Sequence, residues 1–226
     1  MNPLFQRAMG ADFARLHPQM RRRFSAGLDS DEALIGRGVM DRVWHGGRFV
    51  RPFLALGAAR NILLPRQGRN IPFTIVNMPY TDAAGREALT FVRTFAFPDG
   101  PRRFDAAMVH SPRRGCLVDY LGTHQHLACD LHVEADGAGG AVIRSDRLRL
   151  REGPLDVAVP DLVAGDAVVH ERYDPDADRF RVSVRVTNRR FGPLFGYEGS
   201  FAAEYRPAGG GPLPARLRPR RQESRV

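Results

Sequence analysis

Strict two-residue alternation is the feature that most constrains this chain. In Arg179–Asn188 the apolar side chains fall at Phe180, Val182, Val184 and Val186, with Arg181, Ser183, Arg185 and Thr187 between them. Such a period sends one set of side chains to a core and the other toward water, as in an antiparallel strand. The same pattern recurs along most of the chain. Strands are expected at about residues 39–45, 71–78, 88–97, 103–110, 116–121, 126–135, 141–150, 166–173, 179–188 and 194–205. The breaks between them are rich in turn formers: Pro98-Asp-Gly-Pro, Ser111-Pro-Arg-Arg-Gly, Asp136-Gly-Ala-Gly-Gly and Asp174-Pro-Asp-Ala-Asp. The fold class expected is mainly β (α+β): a cupped antiparallel sheet or incomplete barrel of roughly ten strands.

Two helical segments are expected to cover that sheet. The first, Pro3–Phe24, places Phe5, Met9, Phe13, Leu16, Met20 and Phe24 at steps of three and four, broken near Pro18. This stripe is read as packing on the sheet; Arg21-Arg22-Arg23 beside it leaves a membrane-surface helix as the alternative. The second, Val50–Leu64, has Pro52 near its start and is closed by Pro65. Ser25–Gly38 reads as a loop, followed by a short strand, Val39–His45, that carries the only tryptophan, Trp44.

The formal charge of +9 invites a nucleic-acid reading. However, all 34 basic residues are arginine, and the five Arg and one Glu after Pro207 account for +4 of the excess. No basic stretch is interleaved with aromatic platforms, so nucleic acid is not the partner expected. The chain is divided into one β-rich domain, residues 1–207, and a basic tail, residues 208–226, with the composition of a disordered end. Contact of the basic surface with anionic lipid or an acidic partner stays open. No run approaches the roughly 18 apolar residues of a membrane-spanning helix, and Cys116 and Cys129 read as free thiols of a cytoplasmic protein.

Four of the seven histidines lie between residues 110 and 132. The set His124, His126 and Asp130 has the His-x-His spacing of a cupin-like metal enzyme, because alternate strand residues point into one lumen. A hairpin turning at Thr123-His124 argues against it. That hairpin sets Cys116, Val118 and Tyr120 on the apolar face with Leu127, Cys129, Leu131 and Val133. Asp119, His126, Asp130, His132 and Glu134 then share the solvated face. No metal and no cofactor are therefore expected. No nucleophile elbow, P-loop or dinucleotide fingerprint is present in the sequence, and catalytic residues are unassigned.

Arg93 is the more informative residue. In Leu89-Thr-Phe-Val-Arg-Thr-Phe-Ala-Phe97 it sits on the face that carries Leu89, Phe91, Phe95 and Phe97. An arginine among aromatics must be paired, stacked or ligand-bound, since an unpaired buried charge is costly. Pairing with Glu198 is one reading. Anchoring an acidic head group at the mouth of an apolar cup is the other.

With these residues in view, the chain resembles a bacterial family, domain of unknown function 4166, over most of residues 4–205. The resemblance rests on Leu4-Phe-Gln-Arg-Ala-Met-Gly with Phe13-Ala-Arg-Leu-His-Pro-Gln-Met-Arg, and on Phe91-Val-Arg-Thr-Phe. Arg114-Gly-Cys-Leu-Val-Asp-Tyr-Leu-Gly122 and Phe191-Gly-Pro-Leu-Phe-Gly-Tyr-Glu-Gly199 complete it. It implies a domain that occurs alone or attached to nicotinamide-cofactor oxidoreductase modules. No such module is present here, so the partner it implies is a separate reductase chain. It supplies no catalytic residues.

The function expected is binding of an apolar or amphipathic, lipid-like small molecule in a β cup. Phe91, Arg93, Phe95, Tyr120, Tyr197 and Glu198 are its expected ligand-binding residues. The alternatives are the metal-dependent enzyme above and a purely protein-binding accessory domain.

Overall fold

A computed structural model describes residues 2–47, 57–62, 64–162 and 164–226. Three short helical turns open the chain: α1 (Leu4–Met9), a 3-10 turn (Gly10–Arg15) and α2 (Pro18–Phe24). The strands follow: β1 (Glu32–His45), β2 (Gly68–Thr81), β3 (Glu87–Phe97), β4 (Gly100–Ser111), β5 (Cys116–Leu121) and β6 (Leu127–Ala135). They continue with β7 (Ala141–Glu152), β8 (Leu155–Ala158), β9 (Asp166–Asp174), β10 (Arg179–Asn188) and β11 (Gly192–Pro207).

Every pairing is antiparallel, and the ladder runs β6-β5-β4-β3-β2-β1-β11-β10-β9-β7 with a further β6–β7 pairing. That last contact joins the two ends, so ten strands form a closed barrel and β8 is a short addition to β7. The mainly β reading holds; the expected cup or incomplete barrel is corrected to a closed one. Alternation within a strand cannot reveal closure, because it reports faces and not which strands meet. Closure satisfies the edge backbone groups that an open sheet would leave unpaired.

The stretch read as a loop, Ser25–Gly38, already belongs to β1 from Glu32 onward. Gly36 and Gly38 within it serve close approach. A Cβ on Gly38 would lie 2.0 Å from the Ser200 carbonyl oxygen and 2.5 Å from Phe201 Cα. The β1–β11 seam can be this tight only without side chains. The helix expected over Val50–Leu64 falls largely outside the described residues.

One end of the barrel is sealed by the N-terminal turns. Phe5 and Phe24 stack with centroids 4.2 Å apart, and Phe5 reaches Phe91 of the wall at 6.2 Å. Pro18 begins α2 behind His17, whose Nδ1 accepts from Gln19 N at 3.2 Å. The apolar stripe of Phe5, Met9, Phe13, Leu16, Met20 and Phe24 is buried throughout, which is the core-facing reading of this segment. A buried ion pair pins the plug: Arg23 of α2 donates to Glu171 of β9 and, at 2.9 Å, to Asn77 Oδ1 of β2. Asn77 Nδ2 in turn donates to the Thr90 carbonyl at 3.2 Å. The network therefore ties the helix to opposite walls.

Residues 208–226 carry no helix or strand but are not detached as their composition suggests. Leu213 and Leu217, each 6% exposed, join Tyr80, Ala88, Val92, Val109, Val118, Tyr120 and Ala128 in an apolar cluster separate from the barrel interior. Arg220 N donates to the Thr123 carbonyl at 2.7 Å, and Glu223 N to Gln125 Oε1 at 2.7 Å. Two leucines and a set of backbone partners are enough to hold a stretch that glycine and proline count alone would leave loose.

Two stability measurements follow. Glu171→Ala leaves Arg23 buried and uncompensated, and should cost about 3–5 kcal/mol in chemical denaturation. Leu217→Ala should cost about 2 kcal/mol, the lower end for a buried leucine. A loss below a few tenths of a kcal/mol there would mean that the tail does not pack on the barrel in solution.

Candidate functional site

Inward-facing side chains alternate along each strand, and ten strands enclose more lumen than they fill. A cavity of about 560 Å³ remains inside the barrel. It reaches from Phe5 and Phe24 of the plug to the opposite end, where Gly57, Arg60, Ile62, Leu150, Gly165 and Phe191 line it. Phe191 is 50% exposed and forms part of that far rim. Between the ends the wall is largely hydrocarbon and aromatic, including Phe73, Phe104, Leu127, Leu131, Val184 and Phe195.

Polar groups interrupt this wall at few points. Arg93 projects from the middle of β3, its guanidinium carbon 4.7 Å from the Phe104 ring centroid and 5.4 Å from that of Phe91. Its Nη1 is buried without a hydrogen-bond partner. Asp119 of β5 lines the same cavity, is 7% exposed, and its Oδ1 is also buried without a partner. Burial pushes the Asp119 carboxyl up to about 7, and the nearby Arg93 charge opposes that rise. Desolvation wins because the Arg93 charge is near enough to act on Asp119, but Arg93 Nη1 and Asp119 Oδ1 make no hydrogen bond. Tyr197 of β11 lines the cavity as well, and burial raises its hydroxyl above the ordinary phenolic range.

The residues expected to form the site divide among three locations. Phe91, Arg93 and Tyr197 line the cavity. Phe95 lies wholly inside the core, edge-on to Phe73 at 5.1 Å and to Tyr197 at 5.1 Å, behind the cavity wall. Tyr120 and Glu198 face outward. Tyr120 packs under the tail and donates from its hydroxyl to the Arg225 carbonyl at 2.5 Å. Glu198 is exposed opposite Arg42, so the expected Arg93–Glu198 pair does not form.

One parity error explains Tyr120 and the omission of Asp119. The register pairs Leu121 with Leu127, Asp119 with Cys129 and Leu117 with Leu131. The connection is therefore the five residues Gly122–His126 and not a tight turn at Thr123-His124. Gly122 and Gln125 have positive φ of 75° and 52° within it. Leu117, Asp119 and Leu121 consequently point inward, and Cys116, Val118 and Tyr120 point outward. An acidic residue between Val118 and Tyr120 in a buried strand was the available signal for Asp119. Cys116 and Cys129 are both buried, free and on opposite faces of the wall.

The histidine segment does not gather into a metal site. No group of three or more His, Cys, Asp or Glu able to hold a metal ion occurs among the described residues. His124 and His126 stack with centroids 5.7 Å apart; His126 Nδ1 meets Glu152 at 2.6 Å, and Asp130 pairs with Arg114 at 3.0 Å. The expected shared solvent face holds for Asp130, His132 and Glu134, which alternate with the buried Cys129, Leu131 and Val133, but not for Asp119 and His126, each 7% exposed and lining the cavity.

Fold and site together define a closed, all-antiparallel β-barrel protein with an apolar lumen and a small buried polar set. No helix among the described residues is long and apolar enough to cross a membrane, which leaves β-barrel spans unaddressed. The chain belongs to the family described as Domain of unknown function (DUF4166), whose model matches residues 16–201. It is similar to the uncharacterized protein YndH of Bacillus subtilis (strain 168), with 29% identity over 206 residues, 91% of this chain and 99% of that protein. No solved structure matches it.

Asp119 sets a pH dependence of stability. Its carboxyl ionises near 3.8 when unfolded and near 7 when folded. Between those values the unfolded chain has released a proton that the folded chain keeps, so stability falls as pH rises from about 4 to about 7. The slope over this range should flatten in Asp119→Asn, measured by denaturant titration at each pH. An unchanged slope would show that Asp119 titrates normally.

Proposed function

We propose that this protein binds an apolar or amphipathic small molecule inside its barrel. The observation that carries this reading is the cavity of about 560 Å³ with its predominantly apolar wall. Its volume lies within the roughly 300–1,000 Å³ typical of small-molecule sites, and most of a ligand placed there would leave water. Each buried square ångström of apolar ligand surface contributes about 25 cal/mol, so a chain of modest length reaches useful affinity before any polar contact. The polar atoms of Arg93 and Asp119 that lack partners supply orientation. The N-terminal plug closes one end, so the ligand enters at the end lined by Ile62, Leu150 and Phe191.

Native mass spectrometry against the denatured mass tests this directly, together with titration of the protein with a fluorescent fatty-acid analogue. The expected result is one bound organic molecule per chain. Val184→Trp, which puts a large ring into the lumen, should abolish probe binding while the far-ultraviolet spectrum of the barrel persists. Equal binding by Val184→Trp and the parent protein would overturn the interior site.

A further inference from the structure

The polar groups in the cavity wall carry more information than its volume. Arg93 Nη1 offers an N–H and Asp119 Oδ1 a carboxyl oxygen, both buried, both unpartnered, and both lining one cavity. Buried polar groups are satisfied in nearly all native sites, and two orphans of opposite charge facing one lumen mark a place where a ligand supplies the missing partners. If their only purpose were mutual neutralisation they would form an ion pair, as Arg23 and Glu171 do at the plug.

We propose that the head group of the barrel's ligand is a single carboxylate, seated between the Arg93 guanidinium and the Asp119 carboxyl, with one proton shared by the two acids. This rests on the interior-binding reading above and adds the chemistry of the ligand. The Arg93 guanidinium balances the single negative charge that the two carboxyl groups share, and the protonated Asp119 carboxyl donates to the incoming carboxylate. The proton comes from Asp119 itself where that group is already protonated, and from solvent where it is not. No covalent bond forms or breaks. The aliphatic chain then runs along Leu121, Leu127, Leu148 and Leu150 toward the rim.

The groups facing Asp119 leave it as the proton carrier. From β3 comes Arg93, permanently charged. From β6 comes Cys129, pushed up to about 12 chiefly by burial, and from β11 Tyr197, also raised by burial, so both stay neutral between pH 6 and 8. The neighbouring β4 and β7 present Met108, Ile143 and Ser145, without charge. Arg23 and Glu171 saturate each other at the plug end, and Arg60 and His126 stand at the rim.

Isothermal titration of the full chain with decanoate and with 1-decanol, at pH 6 and pH 8, tests the assignment. Decanoate should bind about tenfold more tightly at pH 6 than at pH 8, because a carboxyl titrating near 7 is mostly protonated at the first and mostly ionised at the second. Repeating the pH 8 titration in two buffers of different ionisation enthalpy should show close to one proton taken up per decanoate, and at pH 6 close to none. Decanol should show neither effect. Asp119→Asn, which keeps a donor but cannot ionise, should bind decanoate equally at both pH values, and Arg93→Gln should lose decanoate at least tenfold while retaining decanol.

Decanoate binding that is independent of pH with no proton uptake overturns the shared-proton site but leaves the interior-binding reading standing. A pH dependence that survives in Asp119→Asn belongs to a group other than Asp119 and likewise overturns the proposal. Failure of both decanoate and decanol to bind the parent chain removes the interior-binding reading itself. The buffer comparison uses the parent protein alone, so the outcome is readable even if a variant does not fold.

Discussion

Closure of the sheet is the constraint on which the rest of the structure depends. Pairing of β6 with β7 and of β1 with β11 leaves no open edge within the ring, and it fixes the circumference at ten strands. Eight-stranded barrels are just filled by their own side chains, whereas a wider ring encloses space that its side chains do not reach across. The cavity therefore follows from strand number before any residue in it is considered. The glycines of the β1–β11 seam belong to the same constraint, since backbone atoms there pass where a Cβ would stand.

A closed tube still has two ends and an outer wall, and the chain treats each differently. The helical turns fill one end with Phe5 and Phe24, and the Arg23–Glu171–Asn77 network fixes them to β9 and β2. That ion pair is fully buried, so its worth lies less in net stabilisation than in forbidding other positions of the plug, where either charge would be stranded. The far end is left to connections between strands, where Phe191 stays half exposed. Outside, the C-terminal stretch covers an apolar strip that β3, β4, β5 and β6 would otherwise present to water. Arg93 and Asp119 stand apart from these closed networks as polar groups in the lumen left incompletely satisfied by the protein.

How much was legible in the sequence depended on whether a residue's face could be decided within one strand. The run Leu89–Phe97 is long, regular and aromatic, so the inward position of Arg93 followed from parity alone. Asp119 needed the parity of β5 against β6, and that depends on the length of the connection between them. A glycine, a threonine, two histidines and a glutamine at 122–126 give no strong turn signature, and an error of one residue exchanged Asp119 for Tyr120. Glu198 was misplaced for a related reason. It neighbours the inward Tyr197 in sequence, but adjacent strand residues point to opposite faces. Composition misled at the tail, where glycine, proline and arginine outweigh the two leucines that anchor it.

By itself the sequence determined the antiparallel strands, the buried stripe of the N-terminal turns, the family, and the presence of a cation among inward aromatics. These are local properties: a period of two, a period near 3.6, and matched motifs all survive without knowing what lies across the core. Tertiary structure alone decided that the sheet closes, that the lumen stays partly empty, and that Arg93 shares it with Asp119 and not with Glu198. Those outcomes depend on register and circumference, which are set by pairings between residues far apart in the chain. No single strand encodes them.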